Sequence, residues 1–195
     1  MCPATCAVYV GPYAHMESCP IHAEPQYDQA KLQASNGRIK SPCHQYHTIP
    51  VSLPIQANWK NPITAEQMTH CEKATCELID KLNESGGVID MFNDFFQGCD
   101  YLDAVNKGKI KVGDTILMLS LDGAQLYWNK QSDFWMYIWV IYELSPDLRY
   151  KKKYVLPGAV IPGLNKPKNM ESFLFPGLHQ LSAVQQEGLK VWDAF

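Results

Sequence analysis

The chain has 195 residues, 46% of them hydrophobic, and a formal net charge of -3. That length fits one ordinary domain, or a small module with part of a larger one, and the apolar fraction suffices for a packed core. The charge excludes a uniformly basic nucleic-acid binder but leaves room for a local basic patch.

Residues 1–60 are rich in Cys, His, Pro and Tyr and show little periodicity. They open without the basic start and apolar core of a secretory signal. No apolar run in the chain approaches the roughly 20 residues that span a bilayer. The seven cysteines therefore read as metal ligands or buried thiols rather than disulfides, in a reducing compartment. Cys2-x3-Cys6, then twelve residues, then Cys19-x2-His22 has the shape of a zinc site. Two pairs on tight turns can close a tetrahedron of thiolates and imidazole, and the metal would supply the folding energy a coreless segment lacks. The other reading is a set of free thiols in a disordered terminus. Cys43, His44 and His47 form a second group, either half of a site or incidental residues of a surface loop. Segment 28–42 is polar, with turn chemistry at Ser35-Asn36-Gly37 and Ser41-Pro42.

No helix-length apolar pattern appears before Thr64, and a helix is expected to begin there, where Thr64 and Gln67 match a capping box. Met68, Cys71, Thr75, Leu78, Ile79 and Leu82 then share a helical face, and Gly86-Gly87 ends the helix. Residues 88–108 read as an irregular or helical connector. Phe92, Phe95, Phe96, Tyr101 and Leu102 would pack there, with Asp90, Asp94, Asp100 and Asp103 facing solvent. Cys71, Cys76 and Cys99 are expected as core or near-core thiols, none beside a histidine base.

Three strands follow: about 114–121, buried and closed by Asp122-Gly123; then 134–142, aromatic and β-branched; then 150–161. The polar stretch 122–133 reads as a turn, Ser145-Pro146-Asp147 as another, and short turns between consecutive strands suggest an antiparallel meander. A proline-rich loop, 162–167, leads to a helical region over 169–190 interrupted at Pro176-Gly177. The basic cluster of Arg149, Lys151, Lys152 and Lys153, with Lys166 and Lys168 beyond, is either a solvated strand end or a phosphate-contacting surface.

Longer motifs carry a family likeness. They are Ser120-Leu121-Asp122-Gly123-Ala124-Gln125-Leu126-Tyr127, Ser132-Asp133-Phe134-Trp135, Leu144-Ser145-Pro146-Asp147-Leu148-Arg149-Tyr150-Lys151-Lys152, Ile161-Pro162-Gly163, Ser172-Phe173-Leu174-Phe175-Pro176-Gly177-Leu178 and Trp192-Asp193-Ala194. Phe95-Phe96-Gln97-Gly98-Cys99-Asp100-Tyr101-Leu102 and the N-terminal cysteines join them. Together they resemble the transposase of CACTA (En/Spm-type) DNA transposons in its fungal form. One departure is Cys19-x2-His22, where that family usually shows a second C-x2-C pair.

The resemblance implies an α+β chain. A small zinc-ribbon-like segment (1–60) and a helical linker (61–110) would precede a truncated RNase H-like domain of β-β-β-α order (111–195). It implies a DDE nuclease in which three carboxylates hold two Mg²⁺ or Mn²⁺ ions for in-line phosphoryl transfer on transposon-end DNA. Asp122 would be the first carboxylate. Asp193 is a weak candidate for the second, which the family places further on, and the third would lie beyond Phe195. The chain is thus expected to be catalytically incomplete, a fragment or degenerate copy. It is expected in the nucleus because its substrate is DNA, away from membranes, and able to self-associate through an exposed sheet edge. The alternative is a zinc-stabilised DNA- or protein-binding module without catalysis.

Overall fold

A computed structural model describes residues 1–127, 130–163 and 165–194. In chain order the elements are α1 (Gln29–Ala34), β1 (His47–Thr48), α2 (Ser52–Lys60), α3 (Pro62–Gln67), α4 (His70–Ser85), α5 (Cys99–Asn106), β2 (Leu117–Tyr127), β3 (Lys130–Ile141), α6 (Pro146–Arg149), β4 (Leu156–Pro162) and α7 (Met170–Glu187). The chain is mixed α and β, and its four strands form one antiparallel sheet in the order β1-β4-β3-β2. No helix among the described residues is long and apolar enough to cross a membrane.

Two compact units form, and neither follows the chain order 1–60, 61–110, 111–195. The first comprises Met1–Leu53, Leu119–Ile138 and Leu156–Leu189; the second comprises Pro54–Met118, Trp139–Val155 and Lys190–Phe195.

In the first unit, Met1, Val8, Ile161 and Phe173 make a buried apolar cluster, with Val10, Tyr46 and Trp135 against it. The N-terminal segment is tied to the rest by backbone. The Asn169 amide donates to the Cys6 carbonyl at 2.8 Å, and the Val8 amide donates to Ser172 Oγ at 3.0 Å. Asn169 also caps α7 by accepting from the Ser172 amide. Two glycines permit close approach: a Cβ on Gly163 would overlap the Thr5 side chain, and one on Gly177 would overlap the Tyr137 hydroxyl. Pro176 lies inside α7, so the predicted interruption is a tolerated proline in one continuous helix.

In the second unit, Cys71, Leu78 and Phe96 are buried together, with Leu82, Phe95, Tyr101 and Leu102 partly buried around them. Gly86 closes α4 in the left-handed conformation, φ 69°.

Several expectations need correction. Helices exist before Thr64. α1 is capped by Asp28, and α2 tolerates Pro54 because first-turn amides have no intrahelical acceptor to lose. Thr64 is not a cap; it is buried inside α3, which Asn61 caps by accepting from the amides of Ile63 and Thr64. Gln67 instead accepts from the Tyr154 hydroxyl. Phe92 is 68% exposed and does not pack, while Cys76 and Cys99 are exposed thiols and only Cys71 of the three is buried.

The stretch 122–133 is not a turn: β2 runs on to Tyr127 and β3 begins at Lys130, with Trp128 and Asn129 outside the described residues. Leu164 of the proline-rich loop and Phe195 lie outside them too. β2 is an edge strand, partly exposed rather than buried. β4 begins only at Leu156, so Lys151, Lys152 and Lys153 sit in turns after α6 and not in a strand.

Candidate metal centre

The Cys2, Cys6 and Cys19 thiols and the His22 imidazole converge in the first unit, their ligand atoms all within 4.8 Å of one another. The three cysteines are buried and His22 is exposed. Two tight turns achieve this. The Thr5 amide donates to the Cys2 carbonyl, with Thr5 at φ 58°; the Ala23 amide donates to the Cys19 carbonyl, with Ala23 at φ 57°. A left-handed threonine is uncommon, since its branched Cβ crowds the carbonyl, so the surrounding structure must hold the turn.

The separations suit a tetrahedron. Bonds of about 2.3 Å to sulfur and 2.0–2.1 Å to nitrogen put adjacent ligands roughly 3.5 Å apart. His22 Nε2 lies 3.3 Å from Cys6 Sγ and 3.6 Å from Cys2 Sγ. The Ile21 amide points at Cys19 Sγ, 3.5 Å away, as an amide does to a thiolate. Burial pushes the Cys2 thiol up to about 11 and raises Cys6 as well. Burial acts upward on Cys19 too, but the Ile21 and His22 amides and the other two thiols outweigh it and lower that group. A bound cation would act against the upward push of burial on Cys2 and Cys6. These four side chains can hold a metal ion such as zinc.

The second Cys/His group does not join them. Cys43 Sγ turns to the Pro25 carbonyl at 3.4 Å, and His44 and His47 are exposed, His47 in β1.

Asp122 is exposed in the middle of β2, and its Oδ1 accepts from the Gly123 amide at 2.7 Å. The glycine beside it has a packing reason: a Cβ there would lie 3.2 Å from the Trp135 ring. Among the described residues, Asp122 belongs to no group of three or more potential metal ligands. The side chain of Asp133 lies outside the described residues. Asp193, in the second unit, is exposed in an irregular segment.

Of the basic residues, Lys151, Lys152 and Lys153 are exposed in the second unit and Lys166 and Lys168 in the first. Lys168 acts on the Cys6 thiol and favours its charged form, and the Lys166 ammonium lies 5.8 Å from the Trp135 ring centre. Arg149 is not exposed with its lysine neighbours. It is 1% exposed, forks onto Asp94 at 2.8 and 2.7 Å, and donates from Nε to the Leu144 carbonyl. Its guanidinium stacks 4.6 Å from the Tyr142 ring centre. Asp94, expected in solvent, has its carboxylate almost as buried as the guanidinium it pairs with.

Sequence reasoning also missed Glu143, two residues past the end of β3 and 6% exposed. Its Oε1 accepts from the Ile116 amide at 2.8 Å and its Oε2 has no hydrogen-bond partner among the described residues. Burial pushes this carboxyl up to about 7, against the Ile116 amide and the Arg149 guanidinium. Because the folded value is raised, the native state holds a proton that the unfolded chain releases above its ordinary 4.5. The associated stability is therefore complete below that value and is lost as pH rises toward about 7. Glu143→Gln escapes this loss. Its stability advantage over the parent should grow by about 3 kcal/mol between acid and mildly alkaline pH, read by urea unfolding. A difference that stays flat with pH would contradict the assignment.

No protein-family model matches the chain, and no curated protein or solved structure resembles it at a significant level.

Proposed function

We propose that this chain is a zinc-stabilised piece of a DDE-type transposase of the CACTA kind, which engages DNA in the nucleus but does not cut it alone. The observation that carries the reading is the Cys2, Cys6, Cys19 and His22 quartet, whose segment is hydrogen-bonded to the start of the helix that follows a β-meander. Zinc is the ion that three thiolates and an imidazole favour in a closed structural site. The strand order β4-β3-β2, with α7 after β4, agrees with the opening of an RNase H-like sheet, and Asp122 rides on the strand that would begin it.

On this reading Asp122 is the first of three acids, and the described residues bring it no partner acids for a two-metal site. Binding to DNA falls to Lys151, Lys152, Lys153, Lys166 and Lys168. The outer edge of β2 would pair with another chain.

The test is duplex binding and plasmid nicking by the purified chain. Affinity should fall steeply between about 50 and 200 mM salt. Alanine at Lys151, Lys152 and Lys153 together should flatten the log–log salt dependence by roughly 2–3, near 0.9 for each phosphate no longer neutralised. No Mg²⁺- or Mn²⁺-dependent nicking should appear above that of Asp122→Ala. Binding that ignores salt would overturn the DNA reading, and nicking abolished by Asp122→Ala would overturn the claim of incompleteness.

A further inference from the structure

The second unit has a half-open cavity of about 340 Å³ between α4, α5 and the segment that leads into β2. Trp59, Met68, Cys71, Val105 and Ile116 give it apolar walls, and Glu143 lines it as well. Its volume falls within the usual range of small-molecule sites.

The polar groups of the wall are mostly spent on each other. The Thr75 and Tyr101 hydroxyls lie 3.0 Å apart, Thr75 also donates to the Cys71 carbonyl, and Cys71 Sγ lies 3.5 Å from the Tyr101 hydroxyl. Glu143 is different: one carboxylate oxygen holds the Ile116 amide and the other is buried with no donor among the described residues. Arg149, whose charge acts on Glu143, is already forked onto Asp94. The lining also carries Glu72 and Asp114 against a single Lys111, so its charge is biased toward acid.

An apolar cavity with one unsatisfied carboxylate oxygen and a negative bias complements an apolar cation. We propose that this cavity binds a small organic amine, with its hydrocarbon or aromatic body on the apolar walls and its ammonium donating to Glu143 Oε2. Burial has already stripped water from the carboxylate, so a donor cation seated there regains what the empty cavity leaves unmade.

The discriminating experiment titrates the full chain at about pH 8, where Glu143 is ionised and the amine still protonated, with 2-phenylethylamine and, separately, with neutral 2-phenylethanol, followed by calorimetry and by amide NMR shifts. The amine should saturate and move the Ile116 and Glu143 amides, and it should bind at least about 10-fold more tightly than the alcohol, as expected for a charged hydrogen bond. Glu143→Gln, nearly isosteric, should remove that preference while leaving the weaker alcohol binding in place. Val105→Phe, which fills the cavity from its wall, should abolish both. Thermal melts establish that each variant is folded. Equal affinity for amine and alcohol, an amine affinity unchanged in Glu143→Gln, or no saturable binding of either compound overturns the proposal.

Discussion

Replacing Cys6 with serine should unfold the first unit and abolish stoichiometric zinc binding. Cys6 is fully buried, its thiol lies 3.3 Å from His22 Nε2, and its carbonyl receives the Asn169 amide at the start of α7. Residues 1–28 contain no α-helix or strand of their own, only a short 3-10 turn at Gly11–Tyr13. Their order rests on the four ligands, a few apolar residues such as Val8, and the turns at Thr5 and Ala23. Structural zinc brings roughly 10–16 kcal/mol to small peptides at neutral pH, so losing one ligand should cost about 5 kcal/mol or more here. The same loss should follow removal of zinc from the parent by a strong chelator. Cys76→Ser and Cys99→Ser, at exposed thiols outside the quartet, should change neither metal content nor the unfolding midpoint. Chelation that leaves the melting curve unmoved would show that the quartet is not a structural site.

Asp94→Ala should destabilise the second unit by about 3–5 kcal/mol, because it leaves the buried Arg149 guanidinium without its counter-ion. The pair is almost free of solvent, with side-chain exposures of 2% for Arg149 and 8% for Asp94, and it is bidentate. Arg149 also stacks on Tyr142 and Phe95 and holds the Leu144 carbonyl, so its removal breaks several interactions at once. Arg149→Lys keeps the charge but loses the fork and the stacking, and should cost nearly as much as Arg149→Ala. Replacing both partners with apolar residues of similar size should recover much of the stability, since the surviving charge is then gone. Alanine at the neighbouring Lys151 or Lys152, both exposed, should change stability by under about 0.5 kcal/mol. A double-mutant cycle in denaturant gives the coupling, and a value near zero would mean the pair is not formed in solution.

The contrast between these two features shows what the sequence could reveal. The metal quartet was legible because its geometry is local: each pair of ligands sits on one tight turn, and the turn spacing is written in the residues between them. The same locality made readable the body of α4, with its apolar face and its stop at Gly86, and β3, with its aromatic and β-branched run. The single helix expected from Thr64 is nonetheless broken after Gln67 into α3 and α4. The Arg149–Asp94 pair joins residues 55 positions apart, and neither end carries a mark of burial. Arg149 sits beside three lysines that do face solvent, so charge density alone assigned it to the wrong surface.

Turn chemistry misled over 122–133 for a related reason. A paired strand tolerates polar residues and glycine where packing favours it, as Trp135 does over Gly123. Pro54 hid α2 because a proline within the first turn looks like a break but costs no hydrogen bond there. Glu143 gave no local sign because its importance comes from the Ile116 amide it holds and the cavity it lines.

The central claim is that Cys2, Cys6, Cys19 and His22 form one closed metal site, and cobalt substitution tests it most directly. Titrated into the metal-free chain, Co²⁺ should saturate at one ion per chain. The spectrum should show tetrahedral d–d bands and thiolate charge-transfer intensity that drops in Cys2→Ser, Cys6→Ser and Cys19→Ser alike, and Zn²⁺ should displace the ion. A weak octahedral spectrum, or a tetrahedral one that survives all three substitutions, would contradict the account.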